Sequence, residues 1–289
     1  MEIISSVADM KRWSRAHLGA GKTIGLVPTM GYLHEGHLSL MQRGRSENNL
    51  LVTSIFVNPV QFGQNEDLDS YPRDTEGDLA KCSQVGVDAV YIPSVSDVYG
   101  PAFQTYVEVE DVAKPLCGAS RPGHFRGVAT VVLKLFNVVS PTAAYFGQKD
   151  YQQLRVIRTM AHDLDLDVTV VSCPTMREKD GLAMSSRNSY LSPQERRQAV
   201  CIFQALQAAQ GLMDNDELHA EEYVKVMSER IQRETDARID YVSLVHPETL
   251  QNLDIVGEAA LAALAVRIGK TRLIDNMLLQ HHGPGKTGV

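Results

Sequence analysis

Cysteine is scarce in this chain of 289 residues, and its four occurrences are widely spaced. Cys82, Cys117, Cys173 and Cys201 form no C-x-x-C pair. Structural zinc sites need paired ligands of this kind, and small secreted domains need a dense disulfide framework. The spacing therefore favours reduced, packed thiols over a zinc-binding or disulfide-rich class of protein.

Long apolar runs and an excess of positive charge are also missing. No stretch reaches about 18 uninterrupted apolar residues, and residues 1–5, MEIIS, lack the basic start and apolar run of a signal peptide. The net charge of −7 disfavours a broad nucleic-acid surface, although a local basic cleft stays open. These absences predict a cytoplasmic protein that binds neither nucleic acid nor membrane.

The chain is long enough for one large domain or two unequal ones. Through about residue 175, strand-like apolar runs alternate with segments of helical periodicity, which is typical of β-α-β crossovers on a parallel sheet. The predicted strands are residues 23–27, 50–57, 89–92, 143–146 and 168–173, and the predicted helices are residues 38–46, 75–85, 128–138 and 152–163. Ligands of such sheets bind beyond the carboxyl ends of the strands.

A change in composition near Pro174 indicates a second, smaller domain. Ser192, Pro193 and Glu195 form a capping-box pattern that predicts a helix over residues 193–210. A helix at 220–234 and strands at 239–245, 260–268 and 271–274 should follow. We therefore predict an α/β fold with a Rossmann-like parallel-sheet domain at residues 1–175, a smaller C-terminal α+β lid domain at 176–283 and a disordered tail at 284–289.

The most informative segment is the histidine loop, residues 28–37, which reads PTMGYLHEGH. Gly31 and Gly36 let the backbone approach a ligand closely, and the N-terminus of the helix that follows favours an anion such as phosphate. As neutral imidazoles, His34 and His37 can add N–H donors without bringing two full charges together. The alternative is a pair of surface or core histidines with no task.

Two further loops offer phosphate-binding chemistry. The lysine loop, residues 147–150, leaves a predicted buried strand, so Lys149 can place its charge near phosphate oxygens while Asp150 reaches Mg²⁺. The serine loop, residues 184–188, combines hydroxyls with Arg187, whose guanidinium can bind two phosphate oxygens at once. Taken alone, these loops could equally be a surface lysine–aspartate pair and a common surface tripeptide.

Neutral amides suit a different ligand. Asn58 and Gln61 in the amide loop, residues 58–62, and Gln153 can hydrogen-bond the hydroxyls and carboxylate of a small acid without neutralising that carboxylate. Residues 122–127, PGHFRG, contain a cationic Arg126 before a helix and could rim the same pocket. On spacing alone, Gln61 or Gln153 could be an ordinary surface residue.

The histidine loop resembles the H-x-G-H signature with which the nucleotidyltransferase superfamily holds the triphosphate of ATP. A closer resemblance, to the pantothenate synthetase family, rests on five blocks in the family's order across most of the chain: PTMGYLHEGH at 28–37, SIFVNPVQF at 54–62, SRPGHFRG at 120–127, FGQKD at 146–150 and SSRN at 185–188. Gln148 departs from the glutamate that is common in the family. This change removes one possible charge beside the metal and leaves the backbone roles intact.

The resemblance implies an ATP-dependent condensation of (R)-pantoate with β-alanine through a pantoyl adenylate, with release of AMP and pyrophosphate. It implies Mg²⁺ at Asp150, pantoate at Gln61 and Gln153, β-alanine near Gln61, and a homodimer. Asn58 belongs to the same expected substrate site. The implied catalytic residues are His34, His37, Lys149 and Arg187, and the implied ATP-binding residues are Met30, Gly31, Tyr32, Leu33, His34, Glu35, Gly36, His37, Gly147, Gln148, Lys149, Asp150, Met176, Met184, Ser185, Ser186 and Arg187.

Two rival interpretations remain. A transferase that adenylylates a phosphate ester would also carry H-x-G-H, but it would leave AMP in its product and would need no amine; the amide loop favours a carboxylic acid instead. A non-catalytic nucleotide-binding protein with the same fold would not need His34, His37, Lys149 and Arg187 together.

Overall fold

The computed structural model describes residues 1–64 and 66–281. Asn65 and residues 282–289, which include the predicted tail, lie outside the described part. The described residues group into two compact units. The first comprises Met1–Ala113 and Arg121–Met176, and the second comprises Lys114–Ser120 with the described residues from Arg177 onward.

The strands of the described residues are, in chain order, β1 Glu2–Ile4, β2 Ile24–Thr29, β3 Leu50–Ile55, β4 Ala89–Tyr91, β5 Ala143–Gly147, β6 Thr169–Cys173, β7 Ala237–Val245, β8 Ala259–Ile268 and β9 Thr271–Gln280. The α-helices are α1 Val7–Gly19, α2 Glu35–Glu47, α3 Thr75–Val85, α4 Val95–Val98, α5 Cys117–Ser120, α6 His124–Val139, α7 Tyr151–Asp163, α8 Pro193–Gln198, α9 Cys201–Asp214 and α10 Ala220–Gln232. Short 3-10 turns at Pro59–Gln61 and Gln148–Asp150 fall within predicted site loops, and a third at Ser186–Tyr190 begins in the serine loop and extends two residues beyond it.

The first unit is built on a parallel sheet with strand order β1-β4-β3-β2-β5-β6. The chain steps outward from β2 through β3 to β4 and then returns to place β5 on the other side of β2. The order therefore reverses between β2 and β5. In open parallel sheets this switch point opens a crevice at the carboxyl ends of the strands, where ligands bind.

Buried side chains hold the sheet and its helices together. Tyr145, Leu51 and Val27 of the sheet form one cluster with Met41 of α2 and Cys82 of α3, and all five are fully buried. Each aliphatic side chain in such a core stabilises the fold by about 1.5–3 kcal/mol. The histidine loop leaves β2 and ends in the first turn of α2. The cluster packs α2 against β2 and so fixes both ends of the loop.

The second unit packs helices α9 and α10 on an antiparallel sheet of order β7-β8-β9. Tyr223, Ile202 and Leu264 are among its fully buried side chains. The helix predicted over residues 193–210 is wrong in detail: α8 ends at Gln198, and α9 then runs to Asp214, beyond Gly211. The break arises because the N–H of Ile202 bonds to the carbonyl of Ala199, three residues back.

The segment Lys114–Ser120 belongs to the second unit although its neighbours in sequence belong to the first. The Tyr241 hydroxyl lies 3.3 Å from Cys117 Sγ. Arg272 donates to Ser120 Oγ at 3.1 Å and pairs with Asp240 at 2.7 Å. The segment is therefore fastened to strands β7 and β9, more than a hundred residues later in the chain.

The predicted fold class is confirmed: a parallel sheet with helices is joined to a smaller α+β unit. The four cysteines lie among the described residues, form no disulfide and are buried, and burial raises the pKa of the Cys201 thiol to about 12. Among the described helices, none combines the length and apolar character that a membrane crossing needs.

Candidate active site

The histidine loop begins at the carboxyl end of β2 with two residues in the left-handed backbone region. Gly31 has φ +84° and Tyr32 has φ +50°. A side chain at position 31 would lie 3.0 Å from Asp78 Oδ2 and 3.1 Å from Ile55. Glycine is required at 31 both for its backbone conformation and for the close approach of α3.

Asp78 of α3 fixes the turn from below. Its carboxylate is buried and accepts hydrogen bonds from the backbone N–H groups of Tyr32 at 2.8 Å and Leu33 at 2.7 Å. Lys81, one helical turn later, donates to the carbonyl of Leu33 at 2.9 Å. Because these two N–H groups are already bonded, any contact of Tyr32 or Leu33 with ATP has to come from other atoms.

The two histidines cap α2 reciprocally. His34 Nδ1 accepts a hydrogen bond from the N–H of Gly36 at 3.1 Å, and His37 Nδ1 accepts one from the N–H of His34 at 3.3 Å. A neutral imidazole carries one N–H, so acceptance at Nδ1 places the proton on Nε2 in both rings. The ring centroids lie 4.1 Å apart, which puts two Nε2–H donors side by side at the start of the helix.

Burial lowers the pKa of His37 well below its usual range, and the nearby His34, Lys149 and Lys81 lower it further. His37 is consequently neutral at neutral pH. This state agrees with the hydrogen bond that its Nδ1 accepts from the backbone. The electrostatics therefore support the expectation of neutral imidazole donors.

The lysine loop leaves β5, the strand beside β2 across the switch point. Its residues Gln148–Asp150 form a 3-10 turn that runs directly into α7. Lys149 Nζ lies 3.7 Å from Asp150 Oδ2, and the positive charge of Lys149 contributes to the lowered pKa of His37. The fold thus brings the histidine and lysine loops together from positions more than a hundred residues apart.

The amide loop meets the histidine loop from the other side. Asn58, only 1% exposed, donates to Gln61 Oε1 and to the carbonyl of Gly127, both at 3.1 Å, and accepts from the Tyr99 hydroxyl at 2.8 Å. Gln61 in turn directs its Nε2 to Met30 Sδ at 3.2 Å. This arrangement favours a role for Asn58 in holding Gln61, whereas direct contact of Asn58 with substrate stays a prediction.

A cavity of about 190 Å³ adjoins Gln61. Residues of the predicted rim line it, including His124 and Arg126, and Arg126 lies 4.0 Å over the ring of Tyr106. Helix α6 passes close to the amide loop at Gly127. A Cβ at this position would lie 2.6 Å from the carbonyl oxygen of Val60, so the absence of a side chain permits the close approach.

The remaining predicted residues lie on both units. Gln153 is half-buried in the first turn of α7, and Met176 lies beside Gly36, where an added Cβ would be 3.8 Å from the Met176 Cβ. In the second unit, Ser185 Oγ accepts from the N–H of Arg187 at 3.3 Å and begins the 3-10 turn that follows Met184. Ser186 is buried. That the serine loop binds the same ATP as the histidines stays a prediction.

Among residues 1–64 and 66–281, no group of three or more histidine, cysteine, aspartate or glutamate side chains could hold a metal ion. Mg²⁺ that accompanies a nucleotide needs only one or two protein carboxylates, because phosphate oxygens and water complete its coordination. The Asp150 side chain is 44% exposed beside Lys149. The residues present therefore fit a nucleotide-borne Mg²⁺ and not a dedicated protein cage.

Comparison with known proteins identifies the family. The family model for pantoate-beta-alanine ligase matches residues 2–278. The pantothenate synthetase of Acetivibrio thermocellus is 52% identical over 280 residues, which cover 97% of this chain and all of that protein. That of Geobacter sulfurreducens is 54% identical over 96% of this chain and 99% of the relative. The chain belongs to the pantoate–β-alanine ligase family.

Solved structures agree with this assignment. The crystal structure of pantothenate synthetase from Thermus thermophilus superposes with a TM-score of 0.91 at 45% identity, covering 96% of this chain and 99% of that one. The ligase from Francisella tularensis, described as complexed with beta-gamma ATP and beta-alanine, gives a TM-score of 0.80 at 35% identity over 96% and 97% of the two chains. The resemblance predicted from five sequence blocks is confirmed, and the chain is a ligase.

The sequence-based interpretation missed three features of the site. Asp78 accepts backbone hydrogen bonds from the turn of the histidine loop, Lys81 donates to a carbonyl of the same turn, and Tyr99 donates to Asn58 and orients it. Asp78 is an aspartate in the first turn of α3, a position where exposed helix-starting acids are common. Only the fold shows that it faces inward.

Proposed function

We propose that the chain condenses (R)-pantoate with β-alanine at the expense of ATP, through a pantoyl adenylate, with release of AMP and pyrophosphate. The observation that carries the proposal is the pair of Nε2–H donors of His34 and His37 beside Lys149 at the sheet switch point. The names of the relatives and the nucleotide and amine in the Francisella tularensis complex support the same substrates.

In the first half-reaction the pantoate carboxylate attacks the α-phosphorus of ATP, and the bond from that phosphorus to the pyrophosphate oxygen breaks. A carboxylate needs no general base, so catalysis comes from in-line positioning and from stabilisation of phosphoryl charge. The donors of His34 and His37 and the cation of Lys149 supply that stabilisation. Mg²⁺ held with the help of Asp150 would neutralise phosphate oxygens further.

Gln61 and Gln153 hold pantoate in this proposal. The amide groups bond its hydroxyls and carboxylate and leave the carboxylate charge available for attack. The positions of Asn58 and Met30 around Gln61 support a fixed orientation of the Gln61 amide.

The serine loop binds the departing pyrophosphate in our proposal, with Arg187 gripping two of its oxygens and the second unit acting as a lid. Gly181, at φ +94°, precedes the loop and could serve as its hinge.

In the second half-reaction the free amine of β-alanine attacks the acyl carbon, and AMP leaves with the electron pair of the broken acyl–phosphate bond. Both His37 nitrogens are occupied, since Nδ1 accepts a backbone hydrogen bond and Nε2 carries the proton. His37 is therefore a poor base. One proton of the β-alanine ammonium passes to solvent before attack, and a second leaves the same nitrogen for solvent as the amide forms and AMP departs.

Pyrophosphate exchange tests the proposal. With pantoate and Mg²⁺ but no β-alanine, the purified protein should exchange labelled pyrophosphate into ATP, because a stable acyl adenylate forms without the amine. Gln153→Ala should slow exchange by impairing the use of pantoate, which appears as a higher KM for pantoate or a lower rate. The affinity of this variant for ATP, measured by calorimetry, should stay close to that of the unmodified protein. His162→Ala, an exposed position on α7, is the matched control.

Exchange that requires β-alanine would overturn the acyl-adenylate route. Exchange supported by a phosphate ester and not by pantoate would favour the rival transferase. We also expect a cytoplasmic homodimer, and light scattering at the mass of a single 31.9 kDa chain would contradict that expectation.

A further inference from the structure

An ion pair anchors one wall of the cavity beside Gln61. Arg121 Nε lies 2.6 Å from Glu66 Oε1, and a second guanidinium nitrogen donates to Glu66 Oε2 at 2.6 Å. The Arg121 side chain is 15% exposed and that of Glu66 24% exposed. This two-point contact sets the plane of the guanidinium.

The same guanidinium determines the proton position on His124. Arg121 Nη1 lies 3.0 Å from His124 Nε2, and arginine can only donate, so Nε2 is an acceptor. The single proton of the neutral ring must then sit on Nδ1. Burial, aided by the adjacent Arg121, lowers the pKa of His124 to about 4, although Gln61, Glu66 and Asp150 oppose the shift.

With its proton on Nδ1, His124 donates to the backbone carbonyl of Gln61 at 2.8 Å. Arg121 reaches the same carbonyl at 3.4 Å. On its other side, Gln61 receives a hydrogen bond from Asn58 at Oε1 and directs Nε2 to Met30. Backbone and side chain of Gln61 are thus held by separate groups.

We propose that Glu66, Arg121 and His124 form a positioning relay that holds Gln61 in the orientation needed for the acid substrate. None of the three need touch that substrate. The inference rests on the proposed role of Gln61 as a pantoate contact. It predicts that loss of the relay weakens the use of pantoate and leaves the histidine and lysine loops, and hence ATP, unaffected.

Exchange kinetics test the relay through the separation of two KM values. His124→Ala removes the donor to the Gln61 carbonyl and should raise the KM for pantoate about fivefold to tenfold, with the KM for ATP unchanged. His124→Asn keeps an N–H group near the place of Nδ1 and should recover most of that loss. His162→Ala on the surface of α7 should match the unmodified protein.

A measurement independent of activity reads the relay directly. Long-range ¹H–¹⁵N spectra of the full chain should show His124 as the Nδ1–H tautomer, and Arg121→Gln should change the His124 signals. An Nε2–H tautomer would overturn the relay whether or not pantoate is the substrate. An unchanged KM for pantoate in His124→Ala, an equal rise in the KM for ATP, or failure of His124→Asn to recover would also overturn it.

The two hypotheses fail differently. If the unmodified protein shows no pantoate-dependent exchange, the proposed function is wrong, and the tautomer still tests the relay. If His124→Ala does not fold, His124→Asn and the spectra of the unmodified protein carry the test.

Discussion

The histidine loop and the serine loop both offer groups suited to binding phosphate, but different side chains hold the two loops in place. The histidine loop is held by the buried carboxylate of Asp78, and its histidines cap their own helix. The serine loop is held through Glu178, which accepts from Asn188 at 2.9 Å and pairs with the partly exposed Arg196. Exposed ion pairs contribute little stability, whereas hydrogen bonds to a buried carboxylate contribute more.

The difference teaches where preorganisation is needed. A donor that must meet developing phosphate charge loses its value if it has to move during the reaction. A group that closes over a departing product has to move by its function. The largest expected effects therefore lie in the histidine loop.

Removal of either histidine should have the greatest effect. His34→Ala and His37→Ala should each reduce adenylate formation at least about 100-fold, because each deletes one preorganised donor. Rapid-quench measurement of adenylate on folded protein checks this, with His162→Ala as the control. Near-normal turnover of either variant would remove the histidines from the catalytic assignment.

Asp78→Asn should destabilise the first unit. The amide replaces one accepting oxygen with a donor that faces the N–H groups of Tyr32 and Leu33, at a cost of about 2 kcal/mol in the free energy of unfolding. Denaturant titration measures it, and Asp74→Asn at the exposed N-cap of α3 provides a milder comparison. Equal stability of Asp78→Asn and the unmodified protein would show that the turn does not depend on the carboxylate.

Arg187→Lys should have an intermediate effect. Charge is retained but two-point contact with pyrophosphate is lost, so the exchange rate should fall about tenfold. Arg187→Ala should fall further. A lysine variant as impaired as the alanine variant would mean that geometry and not charge dominates at this position.

The pH profile of adenylate formation should be flat where an ordinary histidine titrates. Protonation of His37 would place a second proton on Nδ1 and break its bond with the His34 N–H, so the rate should fall as pH decreases through the pKa of His37. Because that pKa is lowered well below 6.5, we expect no loss between about pH 8 and 6.5. A midpoint near 6.5 would contradict the buried, neutral state.

The smallest expected change is in amide hydrogen exchange. The N–H groups of Tyr32 and Leu33 should already be protected without ligand, since Asp78 accepts from both. ATP with Mg²⁺ should slow exchange over residues 184–188 instead. Unchanged exchange there under saturating nucleotide would indicate that the serine loop is preformed. The proposed difference between a preorganised histidine loop and a closing serine loop would then be wrong.

Much of the fold follows from periodicity. Long apolar runs such as β3 and the capping signals at Ser192 are local, so the sequence alone locates them. The short strand β1 and the helix α1 were not predicted. Three residues carry no period, and the buried residues of α1 are Met10 and the polar Ser14, which form no apolar stripe.

The site divides in a similar way. Motif residues such as His37 and Lys149 can be predicted because their spacing within a loop is itself a signal. Asp78 and His124 act on residues about 45 and 63 positions away, and no local pattern reports such a pairing. The family resemblance marked the block around His124 without revealing what the ring holds.

The discontinuous second unit has a consequence for the order in which the chain folds. During synthesis, the buried Cys117 leaves the ribosome long before β7 and β9, whose Tyr241 and Arg272 contact its Sγ, have been made. The first unit can complete its sheet while this short apolar segment waits as an exposed loop. A ribosome-bound chain from which residues 1–180 have emerged should therefore be cut by protease at residues 114–120, and that sensitivity should disappear once β9 has emerged.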